Sequence, residues 1–304
     1  MEFRIFESSD TNVYKYVFTK EDMVAEAVLY RYGDFYKRTV ICCSTMSGCP
    51  VGCTFCGTGK RFVRNLTEDE IVAQITTILK DKNIEDVSSK GERFQIMFMS
   101  MGEPMLNWKN VRASIVELNK LYPNAELLLS TVGIKDAEVM RDLLQLSVEI
   151  DKIGLQFSIH KSNDEDRTKL IPFKGKMNLE EIRDFGTVWW KSTNRRPFLN
   201  YCVDGTNDTE EDYLRMKTLF SREVFNLTFS VVCSADESIK DACFRNEEVI
   251  DSFAQKFMQA GYNVRTFNPA GQDDIGGGCG QLWFTQDWIK ARDIKLKLNG
   301  GINA

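Results

Sequence analysis

No apolar run in this chain approaches the roughly 20 residues that a membrane-spanning helix needs. The opening Met1-Glu2-Phe3-Arg4 also lacks the basic-then-apolar shape of a secretory leader. Basic residues are in slight deficit, 39 against 44 acidic, for a formal net charge of −5. That excludes the broad positive field on which indiscriminate nucleic-acid binding depends, though not a local basic patch. Histidine is almost missing, with His160 the single one, and no Pro/Gly/Ser-rich linker or low-complexity tract divides the chain. What is present is 43% apolar residues in a length of 304, ample for a packed core. These features predict a cytoplasmic, non-exported protein with no membrane partner, and a monomer.

Nine cysteines is an odd number, which fits poorly with a complete disulfide framework. Five of them, Cys42, Cys43, Cys49, Cys53 and Cys56, crowd into one short stretch, which favours metal or redox chemistry over structural staples.

The first 36 residues alternate polar and apolar side chains in three runs, Phe3–Phe6, Val13–Phe18 and Val24–Tyr30, separated by turn residues. They predict a small antiparallel β extension. From about Thr39 the pattern becomes strand, loop, helix, repeated. Six short apolar runs occur at Thr39–Cys43, Phe94–Met99, Ala125–Leu129, Ile153–Ile159, Phe198–Val203 and Phe225–Val232, with helical periodicity between them. Parallel strands need such crossovers, so residues 37–304 are expected to form an α/β partial barrel of six βα units, a (β/α)6 arrangement. Reactive groups should then lie on the loops that follow the strands.

After the first strand comes Cys49-Pro50-Val51-Gly52-Cys53-Thr54-Phe55-Cys56, a C-x3-C-x2-C run. Half of a zinc site is one reading, but no second C-x2-C or C-x2-4-H follows and His160 is far away in sequence. Three thiolates without a fourth protein ligand suit a [4Fe-4S] cluster with one iron left open. Gly102-Glu103-Pro104 follows the second strand; a glycine there admits a ligand to the backbone, and a carboxylate can accept from an ammonium. Ser130-Thr131 follows the third strand and Ser158-Ile159-His160 the fourth. Each alone reads as an ordinary turn or a satisfied strand end. Near the C-terminus, Gly276-Gly277-Gly278-Cys279-Gly280 sets a cysteine in a glycine-rich loop able to carry it into a cleft, where an exposed thiol would otherwise be a liability.

Taken together these residues resemble the RlmN/Cfr family of radical-SAM RNA (adenine) methyltransferases. The match is collinear from about Glu26 to Leu282. It includes the cysteine run, Arg64-Asn65-Leu66-Thr67, Met101-Gly102-Glu103-Pro104-Met105-Leu106-Asn107, Ser130-Thr131, Ser158-Ile159-His160, Arg167 with Ile171-Pro172, Asn207-Asp208, and Cys279-Gly280-Gln281-Leu282. The pairing of Cys42 with Cys279 is specific to that family.

The resemblance implies one [4Fe-4S] cluster per chain on Cys49, Cys53 and Cys56. It implies S-adenosylmethionine (SAM) bound by Gly102, Glu103, Ser130, Ser158, Ile159 and His160, and acid–base work for Glu26. It further implies two SAM molecules per turnover. The methyl of one goes to Cys279, and a radical derived from the other activates that methyl for addition to a ring carbon of adenine. A Cys42–Cys279 disulfide then releases the product. An RNA substrate (rRNA or tRNA) and a low-potential electron donor such as flavodoxin or ferredoxin are the implied partners. Only 41 residues precede Cys42, so a short member without the usual N-terminal accessory domain is expected. That leaves open the same chemistry on a nucleoside, a peptide or a truncated RNA, and also a non-catalytic iron–sulfur or zinc RNA-binding module. The family's asparagine at the end of the sixth strand has no counterpart in Val231-Val232-Cys233-Ser234-Ala235. Lys60, Arg61, Arg64, Lys174, Lys176, Arg195 and Arg196 are candidates for phosphate contacts near the mouth.

Overall fold

The computed structural model describes residues 1–232, 246–268 and 275–276. Strands β1 (Glu2–Glu7), β2 (Val13–Lys20) and β3 (Met23–Arg31) form an antiparallel meander. β3 in turn pairs antiparallel with β4 (Thr39–Cys43), so the extension continues the main sheet rather than standing apart from it. From β4 onward the sheet is parallel, through β7 (Phe94–Phe98), β8 (Glu126–Thr131), β9 (Ile153–Ser158), β10 (Phe198–Cys202), β11 (Asn226–Ser230) and β12 (Val264–Phe267). A separate two-stranded ladder, β5 (Met46–Gly48) with β6 (Phe62–Asn65), stands after β4.

The crossovers carry α1 (Glu68–Asp81), the single turn α2 (Val87–Lys90), α3 (Trp108–Leu121), α4 (Ala137–Glu149), α5 (Asp164–Leu170), α6 (Leu179–Thr193), α7 (Glu210–Leu219) and α8 (Glu247–Gln259). Their starts are written locally. Thr67 and Glu70 close a capping box at α1, and Asn178 with Glu181 does the same at α6. Ile71, Ile75 and Ile78 of α1 are fully buried, each contributing roughly 1.5–3 kcal/mol of hydrophobic stabilisation.

These helices pack on one face of the sheet only. Their apolar stripes share a core with Leu29, Ile41, Ile96, Leu129, Phe157, Tyr201 and Phe229. Side chains alternate along a strand, and registered partners lie on the same side. The opposite face therefore carries Lys15, Glu26, Val28, Cys42, Met97, Ser130, Gln156, Ser158, Asn200, Thr228 and Ser230. A parallel sheet with helices on a single side curls. Arg265 of β12 comes within electrostatic reach of Arg38, Arg93 and Glu126, which precede or begin β4, β7 and β8. The polar face is thus the inside of a partial barrel, and among the described residues the sheet carries a seventh parallel strand, β12, beyond the six read from the sequence.

Candidate active site

The cysteine run is the tip of the β5–β6 hairpin. Gly48 ends β5 at φ +80, and a Cβ there would overlap the backbone carbonyl of Arg61, so only glycine allows the two strands to close so tightly. The Cys49 amide donates to the Arg61 carbonyl at 2.9 Å, extending the ladder to the first ligand candidate. Two turns follow, with the Cys56 amide on the Cys53 carbonyl and the Gly59 amide on the Cys56 carbonyl, both at 3.1 Å. The Thr54 amide donates to the carbonyl of Leu170 at 3.0 Å, tying the tip to the end of α5.

The three thiols share one electrostatic neighbourhood: Cys49 and Cys53 each feel Cys56, and both feel Glu103. Burial pushes the Cys49 thiol up to about 12 and the Cys53 thiol upward as well. Against this, the amides of Val51 and Gly52 point at the Cys49 sulfur and favour its thiolate. Among the described residues no three His, Cys, Asp or Glu side chains converge as the ligands of a single ion do. Neighbouring thiols held by a glycine-dependent hairpin, with amides aimed at the Cys49 sulfur, fit thiolate ligation of an iron–sulfur cluster.

Gly102, at φ +96, brings the loop after β7 against this hairpin; a Cβ would lie 2.6 Å from that of Met46. Glu103 beside it is buried, and its carboxylate accepts from Thr131 Oγ1 at 2.5 Å, the Val132 amide at 2.8 Å and the Met105 amide at 3.1 Å. Desolvation outweighs these bonds and pushes its carboxyl up to about 7. With three of about four acceptor positions in use, Glu103 both pins the loop after β8 and keeps a lone pair for a ligand. Ser130 accepts from Gln156 Nε2 at 3.1 Å, and Ser158 closes β9 on the same inner face.

His160 sits at φ +58, a conformation few non-glycine residues adopt. Its Nδ1 accepts from the Cys202 amide at 3.2 Å, and burial, with the Arg167 charge, depresses its pKa to about 3. The ring is therefore neutral with its proton on Nε2. Ile159 and His160 both donate their amides to the Asn200 carbonyl, at 3.0 and 3.4 Å. Arg167 is fully buried and binds the carbonyls of Met177 and Val132, both at 2.6 Å, and of Ser158 at 3.4 Å. It thereby fastens together the loops after β8 and β9.

Cys42 lies inside, opposite Val28 and Met97 in register, and burial pushes its thiol up to about 12. Ile275 packs into the same cluster with Val13, Val28, Tyr30 and Val40. Cys42 is a free thiol; Cys279 lies outside the described residues. Glu26 is fully buried two positions along β3 from Val28, 2.7 Å from Lys15 Nζ. Sequence reasoning passed over Lys15, Gln156 and Asn200. Their signal was a polar residue at alternate positions within otherwise apolar strands.

Three of the candidate phosphate contacts need correcting. Arg195 donates to the carbonyl of Ile153 at the start of β9, so it and Arg196 lie at the end of the barrel opposite the cysteines. Arg64 is held by Glu70, at 2.8 and 2.9 Å, and by Asp22 at 3.0 Å.

The sequence pattern of the Radical SAM superfamily matches residues 43–185. A probable dual-specificity RNA methyltransferase RlmN of Thermotoga petrophila is 31% identical over 275 residues, covering 88% of this chain and 75% of the relative. One of the same description from Pseudothermotoga lettingae is 32% identical over 286 residues, covering 92% and 77%. Among solved structures, a radical SAM methyltransferase from Sphaerobacter thermophilus superposes with a TM-score of 0.78 at 26% identity, covering 91% of this chain and 79% of that one. Enzymes of this superfamily work with SAM and an iron–sulfur cluster. The chain is an enzyme, a methyltransferase, and belongs to the RlmN-like family of radical SAM methyltransferases.

Proposed function

We propose that this methyltransferase modifies a ring carbon of adenosine in ribosomal or transfer RNA, using two SAM molecules and carrying the methyl on Cys279. The observation that carries the reading is the company kept by Cys42. It shares the inner face with Glu26, and Ile275, four residues before Cys279, packs in its cluster. Four residues of chain span at most about 14 Å, so the anchor limits how far Cys279 can stray from Cys42.

Cys49, Cys53 and Cys56 would hold one [4Fe-4S] cluster, which when bound supplies the electron that cleaves SAM. The chain's own residues do the rest. Glu103 offers its remaining acceptor position to the ammonium of SAM, and Gly102 lets that ligand approach the backbone. Ser130, Ser158 and Ile159 line the same rim, where the neutral His160 presents an Nε2–H donor. Glu26 takes a proton from the substrate. Cys42, neutral at rest in its apolar surroundings, gives up its proton and attacks the Cys279 sulfur; the S–S bond forms as the bond from that sulfur to the transferred carbon breaks, its electron pair leaving with the product. Electrons come from a flavodoxin or ferredoxin, and the enzyme acts as a cytoplasmic monomer.

The experiment is anaerobic reconstitution with iron, sulfide, SAM and a low-potential reductant, offered bulk RNA and small-molecule extracts in parallel. Methylated Cys279 in peptide mass analysis and label in RNA adenosine are expected. No methylated Cys279 in cluster-loaded protein ends the scheme, and label confined to small molecules ends the RNA assignment.

A further inference from the structure

We infer that Lys15 is a positioning residue of the reaction, holding the Glu26 carboxylate paired and oriented on the inner face beside Cys42 so that it can take the substrate's proton. The inference rests on the reading above that gives Glu26 this work.

Lys15 Nζ and Glu26 Oε2 are 2.7 Å apart, and both side chains are completely buried. The contact is a diagonal one across the β2–β3 ladder, in which Lys15 stands opposite Val28 and Glu26 opposite Val17. The strand positions around it on this face are Val13, Val17 and Val28, so an apolar pair would hold the sheet as well as the ionic one does. Two charges withdrawn from water inside an apolar lattice are not needed for the fold; they suit a site where a carboxylate must stay charged until a proton arrives.

The backbone around Glu26 is fixed from three directions. Ser44 Oγ, after β4, and Ser100 Oγ, after β7, each donate to the Glu26 carbonyl at 2.6 Å, while the Glu26 amide faces Met101 Sδ at 3.2 Å. The segments that follow the first two strands of the barrel therefore both grip this residue, which ties its position to the loops that carry Gly102 and Glu103.

Among the described residues, ionisable groups on the strands beside this pair can be named from register. β1 contributes Arg4, opposite Val17 and exposed at the sheet edge; β3 contributes Tyr30; β4 contributes Cys42, whose thiol burial keeps neutral; β7 presents the uncharged Met97. Among the described residues, Lys15 is the cation in direct contact with the carboxylate. Burial lowers its pKa, and the attraction of Glu26 offsets this only in part. In the step assigned here a C–H bond of the substrate breaks, its electron pair stays on the substrate, and the proton arrives on a Glu26 oxygen.

The test uses the cluster-loaded enzyme with RNA and four variants: Lys15→Met, Lys15→Arg, Glu26→Gln and the double Lys15→Met/Glu26→Gln, which buries no charge. Methyl-Cys279 is measured by peptide mass in every sample, and product formation is followed against pH. Lys15→Met is expected to keep methyl-Cys279 while its product rate falls. The acidic limb of its pH profile should move upward by about one to three units, since a carboxylate that loses its cation holds its proton to higher pH. Lys15→Arg should restore the limb, and the double variant should be no slower than Glu26→Gln. A limb that stays in place in Lys15→Met, or losses that multiply in the double variant, overturn the inference. Where Lys15→Met does not fold, the comparison of the double variant with Glu26→Gln decides alone. Absence of methyl-Cys279 from the wild type would instead strike the functional reading.

Discussion

The Phe55 ring, set between Cys53 and Cys56, meets the His160 imidazole edge-on, with centroids 5.3 Å apart and planes at 84°. The contact joins the loop after β4 to the loop after β9, so the cysteine run and the end of the fourth parallel strand are packed as one unit. It also explains why the imidazole, though the only one in the chain, is not positioned as a metal ligand. One nitrogen is occupied by a backbone amide and one edge by an aromatic ring.

That imidazole should make stability pH-dependent. Its pKa falls from 6.5 unfolded to about 3 folded, so between those values the unfolded chain binds more protons and stability rises with pH. The contribution is complete above 6.5 and is lost as pH drops, at ~1.4 kcal/mol per unit. His160→Asn, whose side chain tolerates the positive φ, lacks this group. The advantage of wild type over the variant in urea unfolding should shrink by about 2 kcal/mol between pH 7 and pH 5. An unchanged gap would show that the ring is not held neutral.

Glu103 sets a dependence of the same sign on ligand binding. Its carboxyl, pushed up to about 7 by burial, must be ionised to receive the ammonium of SAM. SAM affinity of the cluster-loaded protein should fall about tenfold for each pH unit below 7 and level off above it. Glu103→Gln should bind weakly and without that slope. Equilibrium dialysis across pH 5.5–8 reads both, and a flat wild-type profile would remove Glu103 from the binding site.

Gly48→Ala puts a Cβ into the Arg61 carbonyl at a backbone angle of φ +80. Two main-chain segments cannot both stay, so β5 and β6 must separate at the base of the cysteine run. The expected cost is about 1–3 kcal/mol, with loss of most reconstituted iron. Thermal unfolding and iron content are the measurements, and full iron loading would show that the hairpin does not govern the site.

Ile275→Asp should loosen the C-terminal anchor while leaving the helix-side core intact, because Ile275 belongs to the smaller inner cluster. Mild oxidation of wild type should give a Cys42–Cys279 disulfide in peptide maps. In the variant its yield should drop by about tenfold, what a loss of roughly 1.4 kcal/mol of anchoring produces. Equal yields in both proteins would mean that Ile275 does not guide the loop.

The parallel strands were legible in the sequence because strands covered on one side by helices and curled on the other read as short apolar runs. The exception, Val264-Arg265-Thr266-Phe267, is four residues at the sheet edge, half exposed, and too short for periodicity to register. Helix α5 escaped for a related reason: Asp164-Glu165-Asp166-Arg167-Thr168-Lys169-Leu170 is nearly all polar, with its buried residue an arginine. The cysteine run and Gly102-Glu103 were visible because their chemistry is local in sequence. Lys15 was not, since its meeting with Glu26 depends on which strand positions register across β2 and β3. The two faces of Glu103 were equally hidden: its bonds to Thr131 and Val132 cross 28 and 29 residues of chain.

The ladder that runs without interruption from Lys15 through Val28 to Cys42 and Met97 constrains how this chain can vary in length. One residue inserted within β3 would turn Glu26 toward the helices and an alanine neighbour toward the barrel interior. Insertions and deletions should therefore accumulate at the turn Ser9–Asn12 and in the connection between Arg31 and Thr39. The spacing from Glu26 to Val28, and that from Val40 to Cys42, should stay fixed in any working variant.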